Sequence, residues 1–439
     1  MKKVVKFGGS SLASAEQFKK AADIVRSDAD RRYVIPSAPG KRNSGDKKVT
    51  DMLYACYALA EKDRNFDVAL ADIKARYDEI IHGLGLDFSL ADDFKEIEEN
   101  FKNKAGSMYA ASRGEYLNGK IMAEYLGFTF VDSAEVVRFK ENGDFDSETT
   151  NKLMAARLAD IETAVVPGFF GADDKGNIVT FSRGGSDITG SIVSRAVKAD
   201  VYENWTDVSG FMIADPRIIS HPQSISMITY TELRELAYMG ASVLHEDSIF
   251  PVRKEGIPIN IRNTNKPEDE GTWIVESTAR KSKYTITGIA GKKGFCCVNI
   301  SKDMMNSEVG FVRKVLQAFE DHQISIEHVP SGIDTMTVFV HEDEFISKEQ
   351  AVVSEIHRLA KPDMLEIESD LGLIAVVGRG MKSTRGTAGR IFSALAHANV
   401  NVRMIDQGSS ELNIIIGVEN RDFEKAIRAI YDIFVETQL

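Results

Sequence analysis

The reading of the fold turns on one stretch, Phe170–Arg217: FGADDKGNIVTFSRGGSDITGSIVSRAVKADVYENWTDVSGFMIADPR. Within it a short apolar run, Ile178 to Phe181, has strand character and lies between the turn residues Gly176-Asn177 and Gly184-Gly185. Ser186 or Asp187 then stands where a helix N-cap is needed, and Ile188, Ile192, Val193, Ala196 and Val197 follow at helical spacing. A second strand, Val201 to Trp205, runs into Thr206-Asp207. Strand, glycine turn, helix and strand predict a βαβ unit whose polar loops lie at the carboxyl ends of its strands, where open α/β sheets take ligands. Those loops carry Arg183, Asp187, Asp207, Asp215 and Arg217, and the amides of Gly184 and Gly185 at a helix start suit an anion.

The chain before this stretch repeats the theme. Val4 to Phe7 reads as a strand, Gly8-Gly9-Ser10-Ser11 as a turn, and Ser14-x-x-Gln17 as the capping box of a helix whose buried face is Phe18, Ala21, Ala22 and Val25. Tyr33 to Ile35 is the next strand. The segment 41–48 is polar and expected to be mobile, and Thr50-Asp51 opens a helix. Residues 62–126 are helix-rich and charged, and Asp92 to Lys104 reads as a solvated helical surface. Strand and helix alternate up to about residue 262, which predicts a mostly parallel sheet covered on both faces.

Beyond the turn-rich segment 263–283 the chain duplicates itself. Ala318–Ile326 aligns with Ala394–Val402, and at the same offset Gly332 meets Gly408, Met336 meets Leu412 and Val338 meets Ile414. Each copy reads as a ferredoxin-like β-α-β-β-α-β module. The expected division is 1–280 for a catalytic domain, 281–365 for a first repeat and 366–439 for a second.

With 439 residues, two or three domains are expected. The formal charge of −12, from 54 basic and 66 acidic residues, argues against nucleic acid or an anionic membrane as partner. No apolar run is long enough to span a bilayer. Three cysteines without C-x-x-C spacing fit a reducing cytoplasm.

Lys6 ahead of Gly8-Gly9-Ser10 offers what a transferred phosphoryl group needs, a neutralising charge and fixed amide donors. Neither a Walker loop nor the protein-kinase motif set occurs. Arg183 can clamp a carboxylate bidentately, and Glu115 can pair with a substrate ammonium. Asp187 can hold Lys6 or orient donors, or serve as a plain N-cap. Asp207 suits a nucleoside and Arg217 nucleotide phosphates. No histidine spacing suits zinc, so no metal site is expected in the protein, and His245 reads as a packing or capping residue.

The order Lys6-Phe-Gly-Gly-Ser10, Gly114-Glu115, Pro167-Gly168-Phe169, Phe181-Ser-Arg-Gly-Gly-Ser-Asp187, Trp205-Thr-Asp-Val208, Asp215-Pro-Arg217 and Gly240-Ala-Ser-Val-Leu-His245, followed by the duplicated module, closely resembles the aspartokinases of the amino acid kinase family. The resemblance spans essentially the whole chain. It implies ATP-dependent phosphorylation of the aspartate side-chain carboxylate, the first step of lysine, threonine and methionine biosynthesis, with Mg²⁺ accompanying ATP. It also implies an amino acid kinase-like parallel sheet sandwiched by helices, followed by two ACT domains that bind an amino acid effector. By the same resemblance Lys6 and Asp187 are catalytic. Lys6, Gly8, Gly9, Ser10, Thr206, Asp207 and Arg217 face ATP. Ser37, Thr50, Glu115, Arg183 and Ser186 face aspartate. Ser242 stands where the family commonly has lysine and Met212 where an aromatic residue is usual, which leaves a second cation at the phosphates to come from elsewhere, with Lys41 and Lys47 as candidates.

For the effector, the resemblance points to Met304, Asn306 and Ser307 in one loop, Ile326 and Glu327 on the next strand, and Ser331, Gly332 and Asp334 in the hairpin. Two carboxylates there favour lysine, with threonine second. A homodimer or dimer of dimers is expected. The competing readings are another amino acid kinase, for glutamate or acetylglutamate, and an inactive sensor that keeps the fold and binds only an effector.

Overall fold

Ten strands build the N-terminal half of the chain around its first. These are β1 (Lys3–Phe7), β2 (Arg31–Pro36), β3 (Thr129–Phe130), β4 (Ala164–Val165), β5 (Phe170–Ala172), β6 (Ile178–Thr180), β7 (Val201–Thr206), β8 (Met227–Thr229), β9 (Ile259–Asn263) and β10 (Thr272–Val275). The structure, a computed structural model, describes residues 1–182, 184–241, 244, 249–279 and 283–437. Its first compact unit comprises Met1–Phe211, Ser224–Tyr230 and Val243–Thr278; the second comprises Met212–Gln223, Thr231–Ser242 and Ala279–Leu439.

In the first unit eight strands form one sheet in the order β3-β4-β2-β1-β7-β9-β10-β8. All are parallel except β10 and β8, which run against the rest. The central strands are buried on both faces, with Val4, Val5, Phe7, Val34, Ile35, Tyr202, Ile259 and Ile261 inaccessible, as a parallel sheet between helices requires. Ser14 caps the first helix, α1 (Ala15–Arg26), by accepting from the Gln17 amide at 3.4 Å, and Phe18, Ala21, Ala22 and Val25 form its buried face as expected. Then come α2 (Val49–Glu61), α3 (Asp67–Leu84), α4 (Ala91–Lys102) and α5 (Ser107–Leu126).

Three expectations change here. The run Ile178–Thr180 is a strand, but it pairs antiparallel with β5 in a separate hairpin, so the helix Gly185–Val197 does not cross over between two strands of the main sheet. The Asp173–Gly176 turn folds this half-buried run back onto Phe170–Ala172, which takes its pairing. The segment Asp92–Lys104 is not a bare solvated surface. Phe94, Ile97 and Phe101 recur on one face of α4 and pack with Tyr57, Phe66 and Tyr77, while Lys120 pairs with Asp93. The segment 41–48, expected to be mobile, is tied through Asp46 to Arg42 and to Arg76 of α3.

In the second unit β11 (Gly288–Ser301), β12 (Ile326–His328), β13 (Thr335–His341), β14 (Met364–Val377), β15 (Met404–Asp406) and β16 (Asn413–Glu419) form an antiparallel sheet ordered β12-β13-β11-β14-β16-β15. Helices Phe311–Asp321 and Glu349–Ala360 cover the first repeat over Val298, Ile300, Val315, Phe319, Val338 and Val352. The repeats interlock. The later half of β11 pairs with β13 and with Met364–Glu368, whereas its early half, Gly288–Lys293, pairs with Gly372–Val377. A register shift at Gly294, whose φ is 90°, lets one strand serve both modules. The sheet folds back so far that its two edge strands meet, His328 Nδ1 lying 2.8 Å from Asp406 Oδ2.

Candidate active site

Lys6 sits near the carboxyl end of the central strand and is only 8% exposed. In register it lies opposite Asn204 of β7. The start of the Gly185 helix brings Asp187 to both, with Lys6 Nζ 2.6 Å from Asp187 Oδ1 and Asn204 Nδ2 donating to the same oxygen at 2.8 Å. Tyr202, two residues earlier on the same face of β7, donates its hydroxyl to the Asp187 carbonyl at 3.1 Å. It lies so close to the helix that a Cβ on Gly190 would fall 2.4 Å from the Tyr202 oxygen. Gly184, just before the helix, has a φ of 58°, a left-handed conformation that glycine adopts freely. Ser186 is 8% exposed and lies against Gly168, where a Cβ would fall 2.7 Å from it. Arg183, Ser242 and His245 lie outside the described residues, but Gly184 to Asp187 place the turn beside Lys6.

The loop after β1 meets the loop after β2 backbone to backbone. Gly8 donates its amide to the Trp205 carbonyl at 2.9 Å, so the amides that open the following 3-10 turn, Gly9–Leu12, are those of Gly9 and Ser10. Gly40 donates to the Gly9 carbonyl at 2.8 Å, and a Cβ on Gly40 would fall 2.6 Å from Gly9. The Ser37 amide donates to the Phe7 carbonyl at 3.1 Å, and the Ser37 carbonyl accepts from Asn118 Nδ2 at 2.6 Å. Thr50, in the first turn of α2, has its hydroxyl 3.7 Å from where a Cβ on Gly114 would be.

Glu115 on α5 follows Gly114 and is 6% exposed. Its Oε2 has no hydrogen-bond partner among the described residues. Burial pushes its carboxyl up from the ordinary 4.5 to about 8, against the opposing pull of the Ala38 amide, its own amide and the Lys6 charge. One turn along, Asn118 is fully buried and its Oδ1 is likewise partnerless. Two buried oxygens on one helix face thus have no hydrogen-bond partner among the described residues.

At the end of β7 the Thr206 hydroxyl donates to Asp207 Oδ1 at 3.2 Å, and Asp207 is exposed. Arg217 belongs to the second unit, where it pairs with Asp215 at 2.6 Å and its side chain is 87% exposed. The structure therefore gathers Lys6 near the carboxyl end of β1, Gly8–Ser10 and Ser37 on the loops after β1 and β2, Thr50, Ser186 and Asp187 at helix starts, and Glu115 in the middle of α5. Asn204, Tyr202 and Asn118 were missed by the sequence reading, although the first shares its strand end with Asp207 and the last stands three residues from Glu115 on a helix.

In the second unit, Lys302 donates its amide to the Asp334 carbonyl at 2.9 Å and Asn306 to the Ile333 carbonyl at 3.1 Å. The loop of Met304, Asn306 and Ser307 thus lies against the hairpin of Ser331, Gly332 and Asp334. Ile326 and Glu327 are on β12. Glu327 accepts from the Tyr238 hydroxyl at 2.7 Å and lies 3.3 Å from His341 Nε2.

Residues 1–263 match the model of the amino acid kinase family, and residues 374–434 that of the ACT domain. Aspartokinase 3 of Bacillus subtilis is 40% identical over 448 aligned residues, 98% of each chain. The crystal structure of Clostridium acetobutylicum aspartate kinase superposes with a TM-score of 0.90 at 51% identity, covering 98% of this chain and 99% of that one. Escherichia coli aspartokinase III, at 25% identity and 99% coverage of both chains, gives TM-scores of 0.73 for its complex with aspartate and ADP (R-state) and 0.71 for its complex with lysine and aspartate (T-state).

Proposed function

The chain belongs to the aspartokinases of the amino acid kinase family and is an aspartate kinase, and from that premise we propose how its residues divide the reaction. The aspartate side-chain carboxylate attacks the γ-phosphorus of ATP. The bond from that phosphorus to the β–γ bridging oxygen breaks, giving an acyl phosphate and ADP without a covalent enzyme intermediate. Lys6 neutralises the phosphate oxygens, held in place by Asp187, which Asn204 and Tyr202 in turn fix. The amides of Gly9 and Ser10 complete the phosphate turn, and Thr206 and Asp207 flank the nucleoside. Arg217 is the further nucleotide contact that the family resemblance implies. Ser37, Thr50, Ser186 and Arg183 take the carboxylates of aspartate, and Glu115 its ammonium. Catalysis on this reading is positioning and charge stabilisation.

Among the described residues no group of three or more His, Cys, Asp or Glu side chains is placed to hold a metal ion. Mg²⁺ would enter as a companion of ATP, with Asp207 or Asp187 as the residues that would hold it, and would supply charge neutralisation there. The ACT pair is the place for an amino acid effector. The lysine complex of the Escherichia coli relative supports lysine as the effector here, and a homodimer completing the sheets is the assembly we favour.

The observation that carries the reading is the Lys6–Asp187 pair together with a buried Glu115 whose Oε2 has no partner among the described residues, a cation for phosphate and an acceptor for an ammonium. Lys6→Ala should abolish aspartate-dependent hydroxamate formation while circular dichroism stays that of the wild type. Activity close to wild type would remove Lys6 from the mechanism. Turnover with glutamate or N-acetylglutamate in place of aspartate would change the substrate.

A further inference from the structure

Arg76 is a buried arginine on a helix that the reaction does not use. Its side chain is 4% exposed, and it sits on the inner face of α3. Its guanidinium reaches three segments at once. Nη2 donates to the carbonyl of Ala13, just past the phosphate turn, at 2.9 Å and to the carbonyl of Gly40, in the loop after β2, also at 2.9 Å. Nη1 donates to Asp46 Oδ2 at 2.6 Å. The next residue, Tyr77, donates its hydroxyl to the carbonyl of Gly114 at 2.7 Å, immediately before Glu115. Two adjacent side chains of one helix thus touch the phosphate turn, the substrate loop and the helix that carries the ammonium acceptor.

A buried cation is costly unless paired, and Asp46 supplies the pairing. Asp46 also accepts from the Arg42 amide and guanidinium, and these bonds, Arg42 first, hold its carboxyl well below the usual range. Arg42 reaches back to Glu79 on α3 at 2.7 Å, so the loop is strapped to the helix at a second point. Where the two loops meet, Gly9 faces Gly40 with no room for even a methyl group. The fork of Arg76 lies behind this contact, bonded to the carbonyls of Ala13 and Gly40.

We propose that Arg76 is a positioning residue that fixes the spacing between the phosphate turn and the aspartate loop, with Asp46 as its anchor. The inference rests on the aspartate kinase reading for what the two loops hold. In-line transfer is sensitive to such spacing, since a misplacement of about 1 Å can cost roughly a hundredfold in rate. Lysine keeps the charge but lacks the planar fork needed to hold two carbonyls and a carboxylate together.

The test uses full-length Arg76→Lys and Asp46→Asn. For each, kcat is measured per site that binds the non-hydrolysable analogue AMP-PNP in a calorimetric titration, and amide hydrogen exchange is followed by mass spectrometry. Expected for Arg76→Lys is a loss of about tenfold or more in kcat per competent site, with KM for aspartate and Kd for AMP-PNP within about threefold of wild type. Exchange should accelerate across residues 8–13 and 37–50 and stay unchanged in β7. Asp46→Asn keeps the buried fork and its carbonyl bonds, so it tests the anchor with less risk to folding, and its effects should have the same sign and smaller size. A kcat per competent site within about twofold of wild type in both variants, or unaltered exchange in both segments, overturns the proposal. If the wild type shows no aspartate-dependent ATP consumption, the functional reading fails instead, and the exchange data alone decide whether the brace exists.

Discussion

Glu115 shows most plainly how burial becomes chemistry. Held up at about 8 by desolvation, its carboxyl is mostly protonated at neutral pH, yet an arriving ammonium needs the charged form. Aspartate binding should therefore expel a proton. Titrating aspartate at pH 7 in phosphate and in Tris should give enthalpies that differ by nearly the difference between the two buffers' ionisation heats, and identical enthalpies would separate Glu115 from the ammonium. For stability, a carboxyl raised above its ordinary 4.5 binds its proton more tightly when folded. Its contribution is therefore full below about 4.5 and is lost as pH climbs through about 8. Glu115→Gln should flatten that decline in denaturant midpoint against pH while raising KM for aspartate. The sequence offered Glu115 only as one glutamate after a glycine; the orphaned oxygen and the companion Asn118 depend on three-dimensional enclosure, which no spacing encodes.

The Gly185 helix carries the next argument. Its end beside Lys6 is set by how tightly it seats on Tyr202, and Gly190 is the point of contact. Gly190→Ala should cost about 1–3 kcal/mol through overpacking, because a fully buried ring cannot swing away. It should also weaken the hold on Asp187. Calorimetry should show a lower unfolding temperature together with reduced kcat, and an unchanged transition would mean that the helix has slack. The helix itself, its glycine turn and the strand Val201–Thr206 were legible from apolar spacing and turn residues. The partner strand was misassigned because Ile178 to Phe181 has the composition of a buried strand, whereas pairing is decided by the Asp173–Gly176 turn, which folds the run back on Phe170–Ala172. Helix α3 fell within the segment 62–126, read only as helix-rich and charged. The significance of Arg76 and Tyr77 lies in carbonyls distant in sequence, and carbonyls have no residue identity to read.

At the scale of the whole chain, the duplication was visible in its regular offset, but the interlocking was not, since Gly288–Lys293 lies within the segment assigned to the first repeat yet pairs with Gly372–Val377 of the second. That arrangement makes the ACT pair a single sheet, so an effector bound at one module acts on strands shared with the other. The loop carrying Met304, Asn306 and Ser307 is hydrogen-bonded to the Asp334 hairpin, and on the reading proposed above Asp334 would be one carboxylate for a basic effector. Glu327, the other, is engaged by Tyr238 from the helix Tyr230–Tyr238. If lysine recruits Glu327, it must compete with that hydroxyl. Lysine titrated against aspartate kinase activity should inhibit and threonine alone should not, while Asp334→Ala should blunt the inhibition. Tyr238→Phe removes the competing donor, a hydrogen bond to a charged group worth about 1.5–3 kcal/mol at most, and should lower the half-inhibitory lysine concentration by roughly fivefold or more. Half-inhibition unmoved by Tyr238→Phe would show that Glu327 stays with the helix and that the effector's ammonium rests on Asp334. Inhibition by threonine without lysine would reassign the pocket.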